Sequence, residues 1–382
     1  MTFPFLAQAL SLAHQSIALS DPNPRVGCVI SSPDGQVLGQ GFTQQAGGPH
    51  AEVMALRDAQ ARGGSVVGAT AWVTLEPCAH HGRTPPCADA LVAAGLGRVV
   101  VALADPNPLV AGRGADRLRA AGIDVTVLPP DHALAQEARA LNVGFLSRMV
   151  RQRPWVRLKL AASLDGKTAL PDGRSQWITS EAARADGQLW RARATAVLTG
   201  IGTVLDDNPR LDVRARPVAR QPWPVIMDSL WRTPPGAALL ARAEPALVMG
   251  LDDAGLRERG LPDGPSFQDA ASRRESLRAQ GVDLLPLPAM DWAPVLAELA
   301  TRGVNELHVE AGARLSGSLI QGGWVDELLV YLAPKLLGPG RALADLNLLP
   351  DLAHAHQFEW SEASMVGPDV RLMARRPGAH LL

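Results

Sequence analysis

The sequence predicts an α/β protein built as two domains, residues 1–148 and 154–382. Three observations predict it. The chain has 382 residues, enough for two or three domains of ordinary size. Short apolar runs alternate with helix-patterned stretches in both halves, the order that builds layered α/β units. Between the halves a basic stretch, Arg148 to Arg153, ends at Pro154 and reads as a solvated linker.

Composition narrows the function classes. Hydrophobic residues make up 47% of the chain and the formal net charge is −1, so core material is ample and the basic footprint of nucleic-acid binding is missing. Three cysteines cannot form a disulfide framework. The opening MTFPFLAQALSLAHQS has no basic leader followed by an apolar run and a cleavage site. It predicts an amphipathic helix with Phe5, Ala9, Leu12 and Ala13 on one face. No stretch approaches the roughly 18 continuous apolar residues of a membrane-spanning helix. A soluble, cytoplasmic protein without a membrane or nucleic-acid partner is expected.

In the first half, Asp21-Pro22-Asn23-Pro24 fixes the backbone at two prolines and leaves Asn23 to turn inward. Strands are predicted at 26–30 and 37–42, joined by the turn Pro33-Asp34-Gly35. Gly47-Gly48-Pro49 ends that region, and a helix at 50–61 places His50 and Glu52 at its start. A strand at 70–75 runs into Glu76-Pro77-Cys78. A helix at 88–94 and a strand at 98–103 follow. A second Asp-Pro-Asn-Pro, 105–108, precedes a helix at 115–121; it suits phosphate or ribose contacts and equally a plain connecting turn. A strand at 125–128 and a helix at 131–148 complete a three-layer α/β/α unit.

The chemistry is concentrated in His50-Ala51-Glu52, Glu76-Pro77-Cys78 and Cys87. One imidazole and two thiolates fill three positions of a zinc ion, and a catalytic zinc keeps its fourth for water. Glu52, two residues from His50, is placed to carry protons without ligating metal. This is the signature of zinc-dependent deaminases. Two readings compete with it. The three residues also occur as unrelated core side chains. A closed structural site needs a fourth protein ligand, which Cys28 supplies in principle. The glutamate and the proline favour the catalytic reading. One departure stands out: eight residues, 79–86, separate the cysteines instead of two. That loop carries His80, His81 and Arg83, placed to read a substrate.

TLEPCAHHGRTPPC, DPNPRVGCVI, PHAEV and DPNPLVAGRG together resemble the deaminase half of the bifunctional deaminase–reductases of riboflavin biosynthesis. The long cysteine spacing is similar to that family's. The resemblance implies a cytidine-deaminase-like domain with His50, Cys78 and Cys87 as Zn2+ ligands, Glu52 as the catalytic proton shuttle, and Asn23 as a substrate contact.

The second half predicts strands at 155–160, 196–199, 224–228, 245–249, 282–286, 306–310 and 326–334. Helices are predicted at 181–193, capped by Thr179-Ser180, and at 293–302. Segment 251–278 is charged and rich in Gly and Pro, and no chemistry attaches to it. After strand 306–310, the turn Ala311 to Ser318 offers backbone N–H groups and a helix start to an anion; alone it is a weak signal, without a Walker lysine or a full Gly-x-Gly-x-x-Gly.

LKLAASLDGKTA, SQWITS, LTGIGTVLDDNP, LHVEAG and VDELLVYLAPKLLG resemble the reductase half of the same family, which is dihydrofolate-reductase-like. Position by position, the resemblance implies that Ala161, Trp177, Thr203, Asp207 and Ser229 line an NADPH site. Gly312, Ala313, Arg314, Leu315, Ser316, Gly317 and Ser318 would cradle its phosphates. Ser175, Arg191, Leu211, Arg214 and Glu310 would meet substrate, with Lys159 beside them. Guanidinium groups grip phosphate oxygens bidentately, which suits Arg191 and Arg214 to a ribose phosphate; as sequence alone they read as surface arginines. The expected function is hydrolytic deamination of a pyrimidine ribotide, then reduction of its ribosyl chain, in a homo-oligomer joined through the reductase domain. A nucleic-acid base deaminase with a C-terminal targeting domain is the alternative. A second domain that binds nucleotide without reducing anything is a third reading.

Overall fold

A computed structural model describes residues 3–79, 85–107, 111–242, 245–260 and 265–379. The chain divides into two compact units, 1–153 and 154–381.

The first unit contains helix α1 (Pro4–Ala13), strands β1 (Gly27–Ser31) and β2 (Val37–Phe42), α2 (Ala51–Ala61), β3 (Thr70–Val73) and α3 (Cys87–Ala93). β4 (Arg98–Val101), α4 (Arg113–Ala120), β5 (Asp124–Val127), α5 (Ala133–Leu141) and α6 (Val143–Arg151) follow. Its sheet has the order β2-β1-β3-β4-β5. β1 runs antiparallel to both neighbours, and β3, β4 and β5 are parallel. The run GCVIS of β1 is buried at every position, as expected of a strand covered on both faces. α1 and α2 cover opposite faces. A Cβ on Gly27 would lie 1.9 Å from the Ala9 carbonyl of α1, and one on Gly41 would lie 2.4 Å from Met54 Cβ of α2. Glycine at 41 therefore lets α2, with Glu52 in its first turn, settle directly on β2.

The second unit contains β6 (Trp155–Ser163), β7 (Lys167–Ala169), α7 (Glu181–Arg193), β8 (Ala196–Gly200), α8 (Ile201–Asp207), β9 (Trp223–Met227) and β10 (Leu247–Leu251). Next come α9 (Asp253–Glu258), α10 (Pro265–Ala279), β11 (Asp283–Leu287), α11 (Trp292–Thr301), β12 (Glu306–Val309), α12 (Ala313–Gln321) and β13 (Glu327–Ala333). β14 (Arg341–Ala342), β15 (Glu359–Val366) and β16 (Asp369–Arg375) complete it. The main sheet is nine-stranded, β11-β10-β9-β8-β12-β6-β13-β16-β15. Its strands are parallel up to β13, and the hairpin β15–β16 adds antiparallel. Under α7 the sheet buries charge. Arg157 of β6 bonds Glu306 at 2.7 Å and Glu327 at 2.6 Å, and Arg193 and Arg375 join from either side at 2.9 and 3.0 Å.

Several sequence expectations are corrected. The buried face of α1 is Leu6, Ala9, Leu10 and Ala13; Phe5 and Leu12 are only partly buried. The helix expected over 131–148 is two helices, broken at Asn142, whose side chain accepts from Arg25 N at 2.7 Å and donates to Arg25 O at 2.9 Å. The second helix continues to Arg151, so the basic stretch is mostly helix and not a solvated linker. Segment 251–278 carries α9 and much of α10, whose Leu256, Ala270 and Leu277 join the core. The hairpin β15–β16 was not anticipated.

Candidate active sites

His50 is the N-cap of α2, and the first helical turn turns Glu52 inward, 3% exposed. β3 delivers Glu76-Pro77-Cys78, and Cys87 opens α3. These pieces bring three ligand atoms together. His50 Nδ1 lies 3.7 Å from Cys78 Sγ and 3.3 Å from Cys87 Sγ, all within 4.8 Å of one another. One nitrogen and two sulfurs match zinc's preference and leave a position open. Cys28, the candidate fourth ligand of a closed site, is buried in β1 and is not part of this group. The Cys78 thiolate is favoured first by the Cys87 thiol and, against burial, by His50; Cys87 N also donates to its sulfur at 3.3 Å. Burial, then the Cys78 charge, push the Glu52 carboxyl up to about 7; a cation held by the cluster acts in the opposite direction. His80, His81 and Arg83 lie outside the described residues, as does Pro108 of the second Asp-Pro-Asn-Pro.

A cavity of about 260 Å³ opens beside the cluster; its lining includes Asn23, Glu52, Asp105, Asn107, Phe145 and Arg148. The structure thus brings Asn23 to the same cavity as Glu52. Phe145 and Arg148 were not singled out from sequence, whereas Asp105 and Asn107 lie in a turn read as suited to phosphate or ribose contacts or as a plain connection. Asp105 and Asn107 belong to the second Asp-Pro-Asn-Pro, and burial pushes the Asp105 carboxyl up to about 7. Arg148 donates from Nη2 to Pro22 O at 3.0 Å and sits 5.8 Å over the Phe145 ring. The helical spacing of Phe145, Arg148 and Met149, all on one face, was the available signal.

Glu76 ties this cavity to the metal loop. Its carboxylate accepts from four backbone N–H groups: Asp105 at 3.2 Å, Gly112 at 3.1 Å, Gly114 at 3.0 Å and Ala115 at 3.1 Å. The start of α4 therefore seats on one anion. A Cβ on Gly114 would lie 1.9 Å from Pro77 O, so only glycine permits the approach. Glu76→Gln turns one acceptor oxygen into a donor facing these N–H groups. Hydrogen bonds to charged groups contribute about 1.5–3 kcal/mol each, so kcat/KM for deamination is expected to fall about 10- to 100-fold. Zinc content by atomic absorption should stay at the wild-type level. A variant with wild-type deamination kinetics removes Glu76 from this role.

In the second unit, Lys159 of β6, Arg191 of α7 and Glu310 after β12 converge. Arg191 grips both oxygens of Glu310, at 2.9 Å on the Nη2 side, and also donates from Nη1 to Asp212 O at 3.1 Å. Lys159 Nζ stands 3.8 Å from Glu310 Oε2. Burial opposes the Glu310 charge, but Arg191 and then Lys159 outweigh it and hold the carboxyl well below its usual range. Burial likewise lowers the Lys159 pKa, against the pull of Glu310. Arg214 pairs with Asp212, whose carbonyl Arg191 holds. The Leu211 side chain is 2% exposed within a core cluster at φ +51, so only its backbone is available to a ligand.

Thr203, Ser229 and Gly312 follow the carboxyl ends of β8, β9 and β12, and open α/β sheets bind ligands along that edge. Asp207 ends α8, its carboxyl raised by burial and then by Asp206. Ala161 stands two residues beyond Lys159 on β6. Ser175 is partly buried in the segment before Trp177. Trp177 is 63% exposed, stacked by Arg184 at 4.3 Å, and its carbonyl accepts from Lys335 at 3.1 Å. Gly312 caps α12, whose first turn leaves the N–H groups of Ala313, Arg314 and Leu315 outside the helix's own bonding. Ser316, Gly317 and Ser318 are not at that open end. Ser316 N and Oγ bond Gly312 O and Ala311 O, Gly317 packs on the Asp345 carbonyl, and Ser318 Oγ accepts from Trp292.

Fold and centres together define a two-unit enzyme: a zinc-binding hydrolytic deaminase followed by an α/β reductase. Residues 4–103 match the cytidine and deoxycytidylate deaminase zinc-binding region, and residues 154–371 match the RibD C-terminal domain. The chain is 45% identical to the riboflavin biosynthesis protein RibD of Escherichia coli K12, over 96% of this chain and 97% of the relative. It is 39% identical to that of Aquifex aeolicus, over 90% of each. It superposes on Acinetobacter baumannii RibD with TM-score 0.84 at 41% identity, covering 97% of this chain and 98% of that one. A Thermotoga maritima diaminohydroxyphosphoribosylaminopyrimidine deaminase/5-amino-6-(5-phosphoribosylamino)uracil reductase gives TM-score 0.83 at 30% identity, covering 98% of both. The chain belongs to the RibD family, the bifunctional deaminase–reductases of riboflavin biosynthesis. Zinc serves its deaminase unit, and NADPH its reductase unit.

Proposed function

We propose the following division of labour among this chain's residues. The cavity beside His50, Cys78 and Cys87 takes 2,5-diamino-6-ribosylamino-4(3H)-pyrimidinone 5′-phosphate. Zinc held by those three residues would lower the pKa of a water in the cavity. Glu52 takes a proton from the attacking water and gives it to the ring nitrogen, then moves the proton of the resulting ring-carbon hydroxyl to the departing amine, so that ammonia leaves and a ring carbonyl remains. Asn23, Asp105 and Asn107 orient the ring, and Arg148 contributes the cavity's guanidinium. The observation that carries this reading is Glu52, buried in a cavity wall beside three clustered ligand atoms.

The product, 5-amino-6-(5-phosphoribosylamino)uracil, is then reduced to its ribityl form in the second unit. NADPH supplies the hydride. Ala161, Trp177, Thr203, Asp207, Ser229 and the first turn of α12 place the nicotinamide nucleotide. Ser175, Lys159, Arg191, Arg214, the Leu211 backbone and Glu310 hold the ribotide.

The test is NADPH oxidation by zinc-loaded protein fed the undeaminated ribotide, with ammonia measured alongside. Matched signals are expected. NADPH consumption without ammonia reverses the assumed order. Chelating the zinc should abolish ammonia release and leave reduction of the deaminated ribotide unchanged; parallel loss of both activities overturns the separation of centres.

A homo-oligomer joined through the reductase unit is part of this proposal. β15 is the outermost strand of its sheet, with Trp360 70% and Met365 65% exposed, and an open strand edge invites pairing. Light scattering at working concentration tests it, and a monomer refutes it. Among the described residues no helix is long and apolar enough to cross a membrane. Residence in the cytoplasm is proposed from the likeness to bacterial riboflavin biosynthesis proteins and tested by cell fractionation.

A further inference from the structure

His308 is a buried titratable residue of the reductase unit that the proposed activity leaves unused. It lies on β12, with Arg157 of β6 directly beside it in register. It is completely buried, and neither ring nitrogen has a hydrogen-bond partner among the described residues. Buried polar groups are ordinarily paired, and an exception in a native core calls for a reason. The reason is next to it. Nε2 stands 3.4 Å from Oε1 of Glu310, beyond the 2.7–3.2 Å of a formed N–H···O bond. The same carboxylate is held by Arg191 and faced by Lys159.

Charge settles which form of the ring is present. Burial disfavours the imidazolium; Arg157 and Arg191 add to this, and Glu310 opposes them. The neutral ring has one N–H to give, and Glu310 is the carboxylate within reach. A shift of roughly half an ångström by Glu310 toward β12 brings the pair to bonding distance. Hydrogen bonds at such sites are often long in the free enzyme and tighten in the complex.

We propose that His308 is a positioning residue for the reduction step: its Nε2–H captures Glu310 when the ribotide binds and fixes the carboxylate's orientation. This rests on the reading of Glu310 as a substrate contact. It requires no metal and no change at the NADPH site.

The test uses the full-length zinc-loaded enzyme and the variants His308→Leu, His308→Gln and Glu310→Gln. Replacing an unpaired buried ring by a hydrocarbon of similar size leaves stability unchanged or higher. His308→Leu is therefore expected to keep the wild-type Tm, NADPH Kd and deamination rate while KM for the deaminated ribotide rises about 10-fold. His308→Gln, whose amide N–H reaches a similar point, should return KM to within about 3-fold of wild type. A wild-type KM in His308→Leu overturns the proposal, as does a raised KM accompanied by an equal loss of Tm or NADPH affinity. Failure of glutamine to rescue also overturns it. If Glu310→Gln raises KM and His308→Leu does not, only the His308 role falls. If Glu310→Gln changes nothing, the reading of Glu310 falls and takes this one with it.

Discussion

Glu52→Gln is expected to lower kcat for deamination by roughly 10²–10⁴-fold, the usual contribution of a positioned acid–base group. Glutamine keeps the shape of the first turn of α2, where the side chain is buried against the cavity. It cannot take a proton from water and return it to a ring nitrogen. The ligand set of His50, Cys78 and Cys87 is untouched, so zinc content should equal wild type. Reduction of the deaminated ribotide should stay within about 2-fold, because the residues assigned to it lie in the other unit. Ammonia release at the wild-type rate would remove Glu52 from the mechanism. Loss of zinc would show instead that its role is to hold the cluster.

The largest expected effect on stability is at Arg157. Its guanidinium is 2% exposed and bridges Glu306 and Glu327, each 1% exposed. Arg157→Ala leaves two buried carboxylates short of a partner, and breaking such a network destabilises by about 3–5 kcal/mol. For a unit of this size 1 kcal/mol shifts Tm by about 2–4 °C, so the melting of the second unit should fall by roughly 6–20 °C. Calorimetry measures the shift, and deamination below the lowered transition is the control. A shift under about 2 °C would mean that Arg193 and Arg375 carry the two carboxylates without Arg157.

The contrast between what could be read and what could not follows the range of the interactions. His50, Cys78 and Cys87 were legible because zinc chemistry prescribes residue types at short spacings, and the fold brings them together. The Glu76 clamp was not legible, because its partners are backbone N–H groups 29 to 39 residues away and carry no residue signature. Arg148 was misread as linker because a basic run looks alike on a helix face and in solvent. Most strands with buried faces were found from their apolar runs, but β16, with Met373 and Ala374 buried among polar residues, was not. β15, EWSEASMV, is exposed at most positions and has no apolar face to betray it. The break at Asn142 was hidden for the same reason as Glu76: it bonds the backbone of Arg25, 117 residues away. Which N–H groups of the turn Ala311 to Ser318 stand open was not legible either, because Ser316 already bonds Gly312 and Ala311, and Ser318 bonds Trp292.

The pairing of β13 with β16 has a consequence for biosynthesis. β16 covers an edge of β13 that would otherwise lie open, and Arg375 on it closes the ion network on Glu327. The parallel half of that sheet is therefore not fully clothed until residue 375 has left the ribosome. The deaminase unit, residues 1–153, is synthesised much earlier. At ~5–20 residues per second, the interval between the two events is about 10–45 s. During it a nascent chain already holds a finished first fold while its second still presents a raw strand edge to chaperones.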